Sequence, residues 1–136
     1  MNTTLFNDFL VSKDSLWVFQ EGNLAFRSNK DSLEPLLEYL DRPLPHPSKV
    51  SIFDKIMGNA AALLSAKAGC QEVYSPLGSE LAIKTLDNYH IQYHFSKVVP
   101  YIQKPNKQGM CPMEKLSISR NPQEFYEIIK QRASSI

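Results

Sequence analysis

Apolar positions along the chain fall into short blocks whose spacing changes from two to three-and-four and back. Leu16-Trp-Val-Phe-Gln20 and Leu24-Ala-Phe-Arg27 are rich in aromatic and branched residues and flank Glu21-Gly-Asn23, which predicts two strands joined by a tight turn at the Gly-Asn pair. After Asp31-Ser32, the residues Leu33, Leu36, Leu37 and Leu40 recur at i, i+3, i+4 and i+7. This is the stripe of an amphipathic helix that tolerates Pro35 in its first turn and stops before Pro43. Pro43, Pro45 and Pro47, with His46 among them, predict a stiff connection over 42–48.

The next block, Lys49-Val-Ser-Ile-Phe53, is strand-like, and Asp54 is placed to cap a helix through Ile56, Ala60, Leu63 and Leu64 to a stop at Gly69. Glu72-Val-Tyr74 predicts a short strand, Ser79 a cap for a helix through Leu81, Ile83 and Leu86, and Ile91-Gln-Tyr-His-Phe95 a further strand. Helical crossovers of this kind join neighbouring parallel strands. Beyond Phe95 come an apolar stretch, Val98 to Ile102, and a polar loop, Gln103 to Gly109. A compact Cys111 to Leu116 segment and a short stretch from Ser117 to Ser119 follow, then a helix from about Pro122 with Phe125, Ile128 and Ile129 inward. The reading is one α/β domain over 1–136, with its core at about 16–119 and a C-terminal helix at about 122–133. No internal repeat or low-complexity tract interrupts it.

Composition narrows the function classes. A formal net charge of +1 gives no general attraction to phosphate backbones, so a nucleic-acid partner is not indicated. No apolar run approaches the roughly 20 residues that span a bilayer. The start, MNTTLFNDFL, has neither a basic segment nor a long apolar one, so the expectation is a cytoplasmic protein without a membrane partner. Cys70 and Cys111, the only cysteines, can form at most one bridge and are read as reduced thiols.

Candidate chemistry concentrates at two places. Asp54 to Gly58 lies where a strand gives way to a helix, the usual position of ligands in open α/β sheets. Asp54 has a sufficient role as an N-cap, and its carboxylate could also fix a ligand or orient Lys55. Lys55, read into the first helical turn, opposes the helix dipole. It could bind an anionic group or act as a base or amine nucleophile, or simply be solvated and paired with Asp54. Gly58, read into the helix interior, needs a packing or approach reason. Cys111-Pro-Met-Glu114 can open a short helix, with Cys111 as nucleophile or redox centre and Glu114 as proton carrier, or with Cys111 buried and inert. Tyr101 and lysines 97, 104 and 107 surround the polar loop and could clamp an anion, though such lysines are more often solvated. His90 and His94, placed on one strand about 13 Å apart at about 3.3 Å per residue, are too far apart to chelate one metal ion and are read as surface or edge histidines.

The element order is similar to that of the cytidine deaminase-like fold. The stretches Phe53-Asp-Lys-Ile-Met-Gly-Asn-Ala-Ala-Ala62 and Val99-Pro-Tyr-Ile102 through Gly109-Met-Cys-Pro-Met-Glu-Lys-Leu116 resemble an uncharacterised prokaryotic family, domain-of-unknown-function family 1893. The likeness spans roughly Trp17 to Leu116. It implies a three-layer α/β/α sandwich with a mixed, mostly parallel sheet opened by an antiparallel hairpin. A working deaminase of this fold holds zinc with a His or Cys and a Cys-x-x-Cys pair, beside a Glu that shuttles protons. That set is missing here, and Asp54 to Gly58 stands where the resemblance puts the thiolates. The expectation is therefore a zinc-free enzyme, or a binding protein, for an anionic or nucleotide-like small molecule, with no cofactor. Lys55, Cys111, Asp54 and Glu114 are its catalytic candidates, and Gly58, Asn59 and Tyr101 its ligand-binding ones. A non-catalytic structural or interaction domain is the alternative, and the oligomeric state is open.

Overall fold

The computed structural model describes residues 2–134. Five strands form one mixed sheet in the order β2-β1-β3-β4-β5. β1 (Leu16–Gln20) pairs antiparallel with both β2 (Asn23–Ser28) and β3 (Val50–Asp54). β3, β4 (Cys70–Ser79) and β5 (Gln92–Val99) run parallel. The opening hairpin is as expected, but its turn is Glu21-Gly22 rather than the Gly-Asn pair. Both turn residues take positive φ, at 50° and 81°, and Asn23 already pairs with Gln20. A two-residue turn of this handedness matches the twist of the strands, and glycine at its second position removes the steric cost.

Alternation along the strands divides the core in two. Leu16, Val18, Val50, Ile52 and Val73 face α2 (Glu34–Leu40), α3 (Asn59–Lys67), α4 (Glu80–Asn88) and α6 (Pro122–Ser134), with α5 (Pro112–Ser117) packed against α3. The opposite face carries the cross-strand row Trp17, Phe53, Tyr74 and His94, one residue from each of β1, β3, β4 and β5. The rings of Phe53 and Tyr74, and of Tyr74 and His94, stack with centroids 4.5 Å apart in each pair. That row is covered by α1 (Thr3–Val11), a helix for which the hydrophobic pattern gave no element. Its two buried anchors, Phe6 and Phe9, are too few for a recognisable stripe. They are buried only because Tyr74 and Phe53 stand opposite, with centroids at 5.5 and 5.8 Å. The α/β/α layering is therefore uneven, with one short helix on one face and the remaining helices on the other.

Four expectations are corrected by how the sheet continues past β3. Asp54 is the last residue of β3, not the cap of a helix, and α3 begins at Asn59 with Gly58 as its N-cap. The intervening residues stay extended because Met57 bridges to Gly78: its N–H donates to the Leu77 carbonyl at 2.8 Å, and its own carbonyl accepts from Ser79 N–H at 3.1 Å. Lys55 is thus outside any helix, and Gly58 is not interior to one. β4, expected to end near Tyr74, runs on to Ser79 through Pro76. That proline falls beyond the last paired residue of β3, where the missing N–H interrupts no ladder to that strand. Ser79 caps α4 as expected, accepting from Ala82 N–H at 3.0 Å.

The histidines are placed differently as well. His90 lies in the left-handed turn after α4, so it shares no strand with His94, which sits on the edge strand β5. Ile128 is half-buried, while Phe125 and Ile129 are buried as expected.

Gly78 permits the closest approach in the fold, since a Cβ there would stand 2.1 Å from the Phe95 ring. Gly78→Ala is expected to push that ring off its seat and cost about 1–3 kcal/mol as an overpacking change. A urea melt reads this directly; an unchanged midpoint would mean that Phe95 rotates away freely.

Candidate functional site

A cavity of about 390 Å³ opens where β3 ends and α3 begins, and Asp54, Lys55, Gly58, Cys111 and Glu114 all contribute to its walls. The rest of the wall is mainly apolar, with Ile56, Ala60, Ala61, Ile102 and Met113, and Ser32 and Leu33 ahead of α2. Asn59 and Tyr101 are not part of it.

Asp54, half-buried in the cavity wall, is strongly altered by its surroundings. Burial raises its carboxyl from the usual carboxylate range to about 7, against the weaker opposing effect of the Ile56 and Lys55 backbone N–H groups. Desolvation penalises the charged form, and no cation is close enough to reverse it. The cavity therefore contains an acid that both donates and accepts near neutral pH, the state that suits a general acid or base or a paired hydrogen bond to a ligand.

Lys55 points its charge elsewhere. Its ammonium donates to the carbonyls of Ser12 at 2.9 Å and Asp14 at 2.8 Å, and lies 4.6 Å from the centre of the Phe9 ring. These contacts tie the segment after α1 to the end of β3, which is a structural task for the amine.

Glu114, on the first turn of α5 behind Pro112, is only 2% exposed. One carboxyl oxygen accepts from Asn59 N–H at 2.5 Å and the other from Ile102 N–H at 2.7 Å. A carboxylate delivered from another segment thus caps α3, whose own N-cap is a glycine without a side chain. Gly58 is required for that delivery. A Cβ on it would meet Ile102 Cγ1 at 2.8 Å and Glu114 Oε1 at 2.9 Å. The small residue thus admits a protein side chain, and the anion position at the start of α3 is filled from within.

Asn59 is spent in the core. Its side-chain amide donates to the Ser117 carbonyl at 3.2 Å and to Ser117 Oγ at 3.0 Å, and its oxygen accepts from the Thr85 hydroxyl. It joins α3, α4 and α5 and does not face a ligand. Cys111 is half-buried, N-caps α5 and donates its N–H to the Ile102 carbonyl at 2.8 Å, which seats it in the cavity wall. Lysines 97, 104 and 107 are exposed and lie outside the cavity wall. Lys30, which does line it, is paired with Glu38 at 2.7 Å and Glu34 at 3.8 Å.

The donor set does not fit zinc. Cys70 pairs with Val50 at the amino ends of the parallel strands, far along the sheet from Cys111, and burial pushes its thiol up to about 12. Among the described residues no three of His, Cys, Asp or Glu gather as metal ligands. Asp54 and Glu114 share the cavity, but the second is committed to two amides.

The wall residues Ser32 and Leu33, Ile102 and Met113 were not singled out from sequence. They come from segments some 20 to 60 positions away from Asp54, each with a sufficient reading as a cap, loop or core residue.

A family model described as "Domain of unknown function (DUF1893)" matches residues 6–133. The crystal structure of a DUF1893 family protein from Thermotoga maritima superposes with a TM-score of 0.84 at 24% identity, covering 95% of this chain and 87% of that one. A dCMP deaminase from the cyanophage S-TIM5, in apo form, superposes with a TM-score of 0.52 at 13% identity, covering 70% of this chain and 99% of that one. At these identities the two likenesses establish the fold. No curated protein matches the sequence.

Proposed function

Because the chain belongs to the DUF1893 family and carries a deaminase-like fold, we propose that it binds a small nitrogen-containing ring compound of the nucleobase type in the cavity beside Asp54. The observation that carries this reading is an acid raised to about 7 in the wall of a mainly apolar cavity. A carboxyl in that state offers one donor and one acceptor side by side, which complements the paired donor and acceptor on the edge of a nucleobase. The apolar walls suit the faces of such a ring, and the volume lies in the usual range for small-molecule sites.

A phosphate or other free anion is less well served. The α3 N-terminus is already capped by Glu114, Lys55 is bound to two carbonyls, and Lys30 is paired with two glutamates. A nucleoside or nucleotide would place its charged part outside the cavity.

Calorimetric titration of the protein with free nucleobases and their nucleosides at pH 7 tests the proposal. At least one should bind saturably, and Asp54→Leu, which removes the donor and the acceptor together, should weaken it roughly 10- to 100-fold. Binding that is indifferent to Asp54→Leu, or absent throughout the panel, would remove the proposal.

A further inference from the structure

The sheet ends in two edges, and they are guarded differently. β2 is six residues long, and its pairing with β1 shifts register between Val18 and Phe19. The bulged Ala25, which has no partner in β1, gives its carbonyl to Arg42 Nη1 at 3.1 Å. A short strand, a bulge and a charged side chain on the edge are devices that keep a free edge from recruiting another strand. β5 carries none of them. It is eight residues long, keeps one register with β4 from Gln92 to Val99, contains no proline, and has Lys97 as its one lysine, arginine or acid. It is the last strand of the sheet and its backbone bonds only to β4, so among the described residues its outward N–H and C=O groups have no partner.

The surroundings of β5 suit a neighbouring strand. Val98 is 46% exposed, and Tyr89, just ahead of the strand, 44%. A recess lined by Asp87, Gln92, Tyr93 and His94 flanks the start of the strand. Successive residues of a strand point to opposite faces, so a recess lined by these three together lies along the outer edge and not on a face. It shares no wall residue with the cavity beside Asp54. Two charges stand at the two ends of this edge, Asp87 in the recess and Lys97 near the end of β5. Both are exposed, and neither forms an ion pair among the described residues. Asp87 lies in the last turn of α4, which holds no basic residue, so its carboxylate opposes the helix dipole with no cation to offset it.

We infer that β5 is an interface between two copies of this chain, paired antiparallel about a two-fold axis at Phe95, which joins two five-stranded sheets into one. A strand paired antiparallel with itself is self-complementary and closes as a dimer. Centring on Phe95 engages residues 92–98, with Gln92 opposite Val98, Tyr93 opposite Lys97 and His94 opposite Ser96 of the second copy. Lys97 of the second copy then lies against the Tyr93 ring at the recess that holds Asp87, and the two-fold axis makes this contact twice. Centring on Lys97 would instead set the two lysines face to face, so charge selects the register. α4, which packs on β5, comes with its copy beside the joint and adds side-chain burial to the strand pairing.

Sedimentation velocity of the full chain, from about 1 μM to about 1 mM, tests the inference. A concentration-dependent species of twice the 15.5 kDa chain mass is expected, with slower amide exchange over residues 92–98 in the concentrated sample. Lys97→Glu sets acid against acid at both recesses, and Asp87→Lys sets cation against cation. Each should weaken association at least about tenfold, and the double exchange, Asp87→Lys with Lys97→Glu, should restore it. Both positions are exposed, so the urea midpoint of the monomer checks that each variant keeps the fold. A monomer throughout the concentration range would overturn the inference. So would a dimer indifferent to both single variants, or losses in the single variants that the double exchange does not repair.

Discussion

Replacing Asp54 by Asn is expected to make the protein more stable above neutral pH. The Asp54 carboxyl titrates at about 7 in the folded chain and near 3.8 when unfolded. Between those values the folded state holds a proton that the unfolded state has released, so this residue's contribution to stability falls as pH rises through the window and is lowest above pH 7. A shift of this size corresponds at most to about 4 kcal/mol at 1.36 kcal/mol per unit. Asn keeps the shape and an acceptor for the Ile56 N–H, which Asp54 Oδ1 meets at 3.5 Å, but carries no charge to desolvate.

The expected result is a gain of about 2–4 kcal/mol for Asp54→Asn at pH 8 and little difference at pH 4, read from urea unfolding at the two pH values. A variant destabilised equally at both would show that the acid is not raised at all. Sites that hold an uncompensated group for function commonly trade stability for it. The fold retains nothing from a desolvated carboxyl at the end of β3, whereas a ligand with an adjacent donor and acceptor would.

Glu114→Ala is expected to have the opposite sign and to be the most damaging single change near the site. The substitution leaves Asn59 N–H and Ile102 N–H without an acceptor in a region where Glu114 itself is 2% exposed. Two lost hydrogen bonds to a charged group, plus the void left by the side chain, amount to about 3–5 kcal/mol. Because these two bonds join α3 to the start of the polar loop, the cavity wall at Ile102 and Cys111 should loosen with them. Faster amide exchange at Asn59 and Ile102 than in the wild type, together with a large fall in the urea midpoint, would establish the role. Glu114→Gln keeps one acceptor oxygen but turns its NH2 onto the other backbone N–H, so it should lose more than half as much as Glu114→Ala. A Gln variant as stable as the wild type would show that the second amide does not depend on the carboxylate.

The different surroundings of two carboxyl groups in one cavity were not legible in the sequence. Asp54 and Glu114 were both singled out as supporting acids. Residue type and local spacing could not tell that Glu114 reaches across 55 positions to cap α3, nor that Asp54 has no partner to offset its burial. Lys55 drew attention because it was read into a helix dipole, and that helix starts four residues later. Gly58 was rightly read as needing a close approach, but the approaching group is Glu114.

What the sequence determined by itself were the features whose causes are local. Period-two and period-three-and-four spacing places the hairpin, α2, α4 and α6. Ser79 announces its cap, the prolines of 42–48 stop α2, and the two stretches around Phe53 and Cys111 carry the family resemblance. Tertiary structure alone decided the rest. It seated α1 on the aromatic row, held residues 55–57 extended through the Met57 bridge, and brought Asp54, Cys111 and Glu114 to one cavity. Burial and long-range hydrogen bonding are sums over neighbours distant in sequence. A side chain's charge state and its remaining valence are fixed only when those neighbours arrive.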